Sequence, residues 1–498
     1  MNSNLNSRLY FSIKLNFKNI LTHENDMMYY KCIKYTTSNT SEGGNMENRK
    51  TQKIMPFIML AFILAGSLQE AFNICAPIIA EDFSVTSADV SLISSIAMLT
   101  MGVAYIFYTA LSDFMSIKKL LITGIVISAI GSIGGLVFNQ SFIMVVIWRS
   151  IQMAGGTCSS ALLILTATKY LDEQKRMKYY GFNTACFSGG QLLGILLGGV
   201  FASYIGWKTL FIIPMLSLVS IPFIIKYLPE DSKESEKKVD ILGIMMMALL
   251  SLFISLYFNE LRIQYLIISA IIAIIFLIYI SKNANAFISI DFFKNWKYMM
   301  VILVVLITYV TQGSYSFLFS FMTRDIYNIG VNSISIMLLP SYIVSMCIGI
   351  MGSKITKKLG ITKTLVFALG SMALGLVLGS IFLEVNIAIL VIMSCLFNGG
   401  FSILYTPIMT LVINSLPESM RGSGLGFFNL CIKITSSTGI VITGRLLMID
   451  GLKNESLIKG ISDIGTVYSN LLLVFLAIVI ISFITINITK KFLLKENN

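Results

Sequence analysis

Apolar runs of about twenty residues, separated by short polar breaks, recur along this chain, and that repeated length is its tightest constraint. A bilayer core about 30 Å thick is crossed by about 20 helical residues at 1.5 Å each. A membrane β-barrel would instead show alternating segments of roughly ten residues. The runs predict spans near 55–79, 90–111, 120–138, 141–167, 181–204, 209–227, 241–258, 263–281, 299–322, 331–353, 361–383, 386–411, 422–447 and 467–489. The expected fold class is therefore an all-α polytopic membrane protein with fourteen transmembrane helices. Composition agrees, because 56% of residues are hydrophobic and only 12% charged. Soluble domains carry about 25% charged residues, and disordered chains carry little apolar surface, so both classes are excluded.

Positive residues accumulate in cytoplasmic loops of membrane proteins. With the span order above, one set of alternate loops holds only Lys208, Arg262, Arg324, Lys453 and Lys459, while most of the 37 Lys+Arg lie in the other set. The even span count and this asymmetry place both termini in the cytoplasm. The net charge of +12 then reads as a topology signal and a complement to anionic lipid, with no nucleic-acid partner required. His23 is the single histidine, and the seven cysteines are scattered without a CxxC pair, so neither a metal site nor a disulfide framework is expected.

Residues 1–45 form a polar leader expected to be disordered, without the apolar core of a signal peptide, and Met46 offers a second start. The remainder divides into a six-helix half over 46–228, a hydrophilic linker plus inserted helix pair over 229–298, a second six-helix half over 299–489, and a cytoplasmic tail over 490–498. This 6 + 2 + 6 plan is that of transporters built from structural repeats, whose path runs between the halves near the midplane.

Ionisable groups inside a span are expensive enough to be functional or paired. Glu70 in the first span and Arg149 in the fourth lie about 14 and 12 Å from the outer ends of their predicted spans, depths similar enough for a carboxylate and a guanidinium to trade partners during proton coupling. Lys433 sits near the middle of the thirteenth span, where it must face a cavity, pair or be neutral. Asp113, Lys118 and Lys119 punctuate the second cytoplasmic turn. Gly190, Gly194 and Gly198, with Gly199 beside them, form a small-residue face on the fifth span. Gln69, Asn73, Gln152, Gln191, Gln312, Tyr315, Asn398, Tyr405 and Asn429 are polar residues within spans that could line a central path, together with Lys433.

These residues resemble a family. From about Met46 onward the chain is similar to the major facilitator superfamily, specifically its fourteen-span drug:proton antiporter branch and the tetracycline efflux proteins of Gram-positive bacteria. The resemblance rests on SD…IKKLL at 112–121, RSIQ-x-x-G at 149–155, the glycines at 190–199 followed by GWKTLFIIP at 206–214, and YSNLLL at 468–473. It implies a gating role for Asp113, a part in proton transfer for Arg149 with Gln152 and Gly155, the antiporter motif for Gly190, Gly194, Gly198 and Gly199, and the acidic first-span motif for Glu70 with Asn73 and Pro77. Departures are Thr109 and Ser116 in place of glycines, Phe114 in place of an arginine, Met153 in place of a glycine and Ile195 in place of a proline; Ser436 stands where the tetracycline/proton proteins carry an acid.

The resulting expectation is a secondary transporter and not an enzyme, located in the bacterial plasma membrane. It exports a hydrophobic drug, tetracycline-related, in exchange for protons by alternating access. No cofactor is expected, although the substrate could travel as a metal chelate, and no oligomer is required. Lys433 motivates an alternative cargo of amphipathic anions such as fatty acids, or a broader multidrug range. A non-transporting membrane sensor or partner-binding protein is the alternative of a different class.

Overall fold

The computed structural model describes residues 23–112, 115–229, 240–283, 286, 288, 290–417 and 421–493, with side chains from Thr51 to Ile488 apart from 173–178, 180, 181, 184 and 421–423. The chain parts into two compact units, 1–53 and 54–498. In the first, the described residues are helical from His23 onward.

Among the described residues, fourteen helices are long and apolar enough to cross a membrane: α1 Thr51–Phe83, α2 Ser87–Leu111, α3 Ile117–Val137, α4 Phe142–Tyr170, α5 Ala185–Tyr204, α6 Trp207–Tyr227, α7 Ile241–Glu260, α8 Ile263–Lys282, α9 Trp296–Tyr327, α10 Val331–Leu359, α11 Ile361–Phe382, α12 Ile387–Asn414, α13 Gly424–Leu446 and α14 Asp463–Ile488. Their number equals the predicted one, and among the described residues no strand occurs. Several run past the apolar stretch that announces them. With 33 residues, α1 is about 50 Å long, beyond the thickness of a hydrocarbon core.

Local chemistry sets the helix starts. Thr86 opens α2 with a capping box, its hydroxyl accepting from the Asp89 N–H at 3.1 Å while the Asp89 carboxylate accepts from the Thr86 N–H at 3.1 Å. Ser116, at a position where the related motif has glycine, caps α3 by accepting from the Lys119 N–H at 3.3 Å. Gly206 at φ +109° makes the tight turn from α5 into α6, and α6 begins as 3₁₀ helix over Trp207–Val219 before becoming α-helical.

Helices α1–α6 and α9–α14 repeat one packing scheme. The pairs α3–α4, α2–α4 and α3–α6 correspond to α11–α12, α10–α12 and α11–α14. Between the two sets, α2 packs on α13 and α5 on α10, so the second helix of each set meets the fifth of the other. That reciprocity is what a pair of six-helix repeats related by a pseudo-two-fold produces. The inserted α7 packs on α8 and also against α2 and α13, where the Asn259 amide donates to the Ala88 carbonyl at 2.8 Å. By contrast α8 presents Ile263, Ile267, Ile271, Ile274 and Ile278 outward, a lipid-facing stripe.

The two ends of the bundle differ. At the charge-poor end, the sets are joined by Ser87 donating to the Gly444 carbonyl at 2.9 Å, by the Asn332 N–H donating to Ser203 at 3.1 Å and by the Glu81–Arg324 ion pair. A cavity of about 470 Å³ lies beside that ion pair between α1 and α9, lined by Pro77, Ser87, Phe321 and Asp325 among others. One large hydrophobic core draws on both sets. At the lysine-rich end, a second core that includes Ile54, Tyr108, Leu121, Leu162 and Ile224 draws only on residues between 54 and 228. The sets are thus fastened at the charge-poor end.

Candidate functional site

Glu70 lies at the seam between the two sets, 3% exposed. The Gln191 amide of α5 donates to its Oε1 at 3.1 Å, and the Ser316 hydroxyl of α9 donates to its Oε2 at 2.6 Å. Tyr342 of α10 is buried close enough to Glu70 and Ser316 to interact with both. Asn73, one turn along α1, donates to Ser316 at 3.0 Å, and Ser320 donates to the Asn73 carbonyl at 3.1 Å. A single carboxylate therefore collects donors from both sets. An ionised carboxylate only accepts, whereas a protonated one has to donate as well. The charge state of Glu70 consequently sets how α1 is bonded to α9 and α10.

The pairing of Glu70 with Arg149 expected from the sequence is not formed. The Arg149 guanidinium, 0% exposed, donates to Gln152 Oε1 at 2.7 Å, and its Cζ lies 4.6 Å from the centroid of the Phe72 ring. Gln152 in turn donates to Ser132 of α3 at 2.9 Å. This makes a network inside the first set, so Gln152 belongs to the α3–α4 contact and not to a central path. Nε and Nη2 of Arg149 have no hydrogen-bond partner.

Lys433 is the cation that Glu70 feels electrostatically. It is half-buried, and among the described residues no ion pair within 4.0 Å is formed between them. Its Nζ stands 5.2 Å from the centroid of the Phe187 ring on α5, across the seam. The stem leaves from a close α2–α13 crossing, since a Cβ at Gly102 would meet Lys433 Cβ at 2.8 Å. Tyr105, one turn further along α2, and Tyr405 of α12 are both half-buried. The Tyr309 ring packs edge-on against Phe401 at 4.9 Å.

The glycine face of α5 gives a close approach to α1. A Cβ at Gly194 would fall 2.0 Å from the Ser67 carbonyl oxygen, and one at Gly198 would fall 2.9 Å from Ala71 Cα. Gly190 lies against the Ile63 carbonyl at 3.2 Å, and Gly199 faces Ser335 of α10 instead, across the seam. These contacts bring Gln191 onto Glu70. Among the other candidates, Gln312 accepts from Ser436 at 3.3 Å, Tyr315 stacks on Phe397 at 4.1 Å and bonds Ser394 at 2.9 Å, and Asn398 donates to Ser341 at 3.0 Å. Asn429 donates to the Leu425 carbonyl of its own helix at 2.9 Å. Gln69 is buried with neither amide atom partnered. Lys118 and Lys119 lie in the first turn of α3, and Asp113 lies outside the described residues. Ser316 and Phe187 are site residues that sequence reasoning missed. A serine or phenylalanine in a span carries no insertion penalty to mark it.

A polytopic helical bundle of two packed six-helix sets, with a polar cluster buried at the seam between them, is the architecture of a membrane transporter. The sequence profile of the Major Facilitator Superfamily matches residues 58–440, and the chain belongs to that family. It is 24% identical over 371 residues to the riboflavin transporter RibZ of Clostridioides difficile strain 630, covering 73% of this chain and 80% of that one. It is likewise 24% identical over 417 residues to the quinolone resistance protein NorB of Staphylococcus aureus strain MSSA476, covering 80% and 88%. Among solved structures, the POT family transporter PepTSo superposes with a TM-score of 0.68 at 12% identity, covering 89% of this chain and 99% of that one. A D-xylose-proton symporter superposes with a TM-score of 0.64 at 13% identity, covering 87% and 96%. The shared fold and the bacterial relatives make this a multi-pass protein of the plasma membrane.

Proposed function

We propose that this transporter exports small hydrophobic, drug-like molecules, tetracycline-related compounds among them, in exchange for protons. The observation that carries the reading is Glu70, a buried carboxylate held by Gln191 from its own set and by Ser316 from the other, with Tyr342 of the other set close by. Protonation turns one accepting oxygen into a donor, so the bonds from α9 and α10 to α1 have to rearrange, and the two sets gain freedom to rock. With the lysine-rich end in the cytoplasm, the fastened charge-poor end is the outer one, and the conformation is inward-facing. Substrate enters from the cytoplasm while Glu70 is ionised, and a proton arriving from outside resets it. The cytoplasmic turn carrying Asp113, Lys118 and Lys119 gates the inner side. A quinolone resistance protein and a riboflavin transporter among the relatives support a small-molecule cargo.

A drug-susceptibility panel in a pump-deficient bacterial host tests this. Expression of the wild-type chain raises tolerance to tetracycline-like or other hydrophobic drugs, and Glu70→Gln, expressed to the same level, does not. Unchanged tolerance across the whole panel would overturn the assignment.

A further inference from the structure

Lys433 is a cation near the middle of a membrane-spanning helix, and the nearest deep carboxylate does not neutralise it at contact distance. Glu70 already receives Gln191 and Ser316, with Tyr342 in reach, and forms no ion pair with the ammonium among the described residues. The ammonium instead lies 5.2 Å from the centroid of the Phe187 ring, which belongs to the opposite set. Phe187 is 38% exposed although it stands over a residue of the other set. Ring and ammonium are thus both left partly uncovered by the packing of α5 and α13. A cation–π contact with one phenylalanine compensates an ammonium only in part.

We propose that Lys433 and Phe187 form a subsite for the carboxylate of a planar aromatic substrate, the anion meeting the ammonium while the ring system lies against the Phe187 ring. The subsite names the cargo class for the export reading above and rests on it only for the direction of transport. Two features favour a carboxylate next to a flat ring over a long-chain anion. The ammonium stands over the Phe187 ring, and the base of the Lys433 stem is set by the close crossing at Gly102.

Binding to the full-length protein in detergent, measured by titration calorimetry with 2-naphthoate and its neutral isostere 2-naphthamide, tests the subsite. The wild-type protein binds the carboxylate at least tenfold more tightly than the amide. Lys433→Gln abolishes that preference while leaving naphthamide affinity within about twofold, and Lys433→Arg restores most of it. Phe187→Ala weakens both probes together, which keeps the test open if Lys433→Gln fails to fold. Equal affinity for the two probes in the wild type, or a carboxylate preference that survives in folded Lys433→Gln, overturns the subsite. Because binding is read without a gradient, preference without transport in vesicles would fault the export reading and leave the subsite standing.

Discussion

Substituting Gly194 by alanine tests how the site is held. The added Cβ would lie 2.0 Å from the Ser67 carbonyl oxygen and 2.8 Å from its carbon, where ordinary contact begins near 3.4 Å. Since the obstacle is backbone on a neighbouring helix, no side chain can swing aside. The axes of α1 and α5 have to part by roughly 1 Å, and forcing such overpacking costs about 1–3 kcal/mol. Gln191 stands one turn before Gly194 on the same face, and its 3.1 Å bond to Glu70 would stretch beyond hydrogen-bonding distance. Gly194→Ala should therefore lower the Tm of the purified protein and weaken proton-coupled transport together. Gly189→Ala, where an added Cβ would meet nothing within 4 Å, is the control and should do neither. The two are compared by fluorescence-monitored thermal unfolding and by substrate flux in vesicles. A Gly194→Ala protein that matches Gly189→Ala in both would refute the close α1–α5 approach as the support of the site.

Three further outcomes follow from the same geometry. Ser316→Ala together with Tyr342→Phe removes the Ser316 donor to Glu70 and the neighbouring Tyr342 hydroxyl, so substrate-driven proton release should fall severalfold while each single variant falls less. Additive losses equal to those of an unrelated serine on α9, such as Ser314→Ala, would contradict the tether. Arg149→Gln leaves the Gln152 acceptor in a dry α3–α4 contact without its donor, a loss of about 1–3 kcal/mol, and should lower Tm while Glu70-dependent proton exchange stays measurable. A stable Arg149→Lys protein without proton exchange would instead place Arg149 in the coupling step. Glu81→Gln removes the ion pair with Arg324, half of which is solvent-exposed and therefore worth only about 0.2–1 kcal/mol. It should raise the labelling rate of a cysteine placed at Ser91, in a background without native cysteines, by about two- to fivefold; an unchanged rate would show that the pair does not fasten that end.

The spans were legible because a bilayer imposes its length on any helix that crosses it. Where the prediction ran short, as at Phe83 beyond the expected 79 or Leu359 beyond 353, the helix continues through polar residues that no local signal stops. Glu70 was legible as a site residue because a carboxylate in a span stands out by its transfer penalty. Its partners were not. Arg149 was the conspicuous charge at a matching predicted depth, but depth along a helix says nothing about which face it occupies or which neighbour that face meets. The hydroxyls of Ser316 and Tyr342 reach Glu70 only through packing between residues more than two hundred positions apart. The glycines of α5 were visible as a face that permits close approach, whereas α1 as the helix approached is a fact of the tertiary structure.

The central claim is that protonation of Glu70 is exchanged for substrate, and everted membrane vesicles acidified inside measure it most directly. Addition of substrate to vesicles containing the wild-type protein should release protons from the lumen in proportion to the substrate taken up, and Glu70→Gln should abolish the release while Lys433 variants with altered cargo preference retain it. Full proton release from Glu70→Gln vesicles would contradict the account.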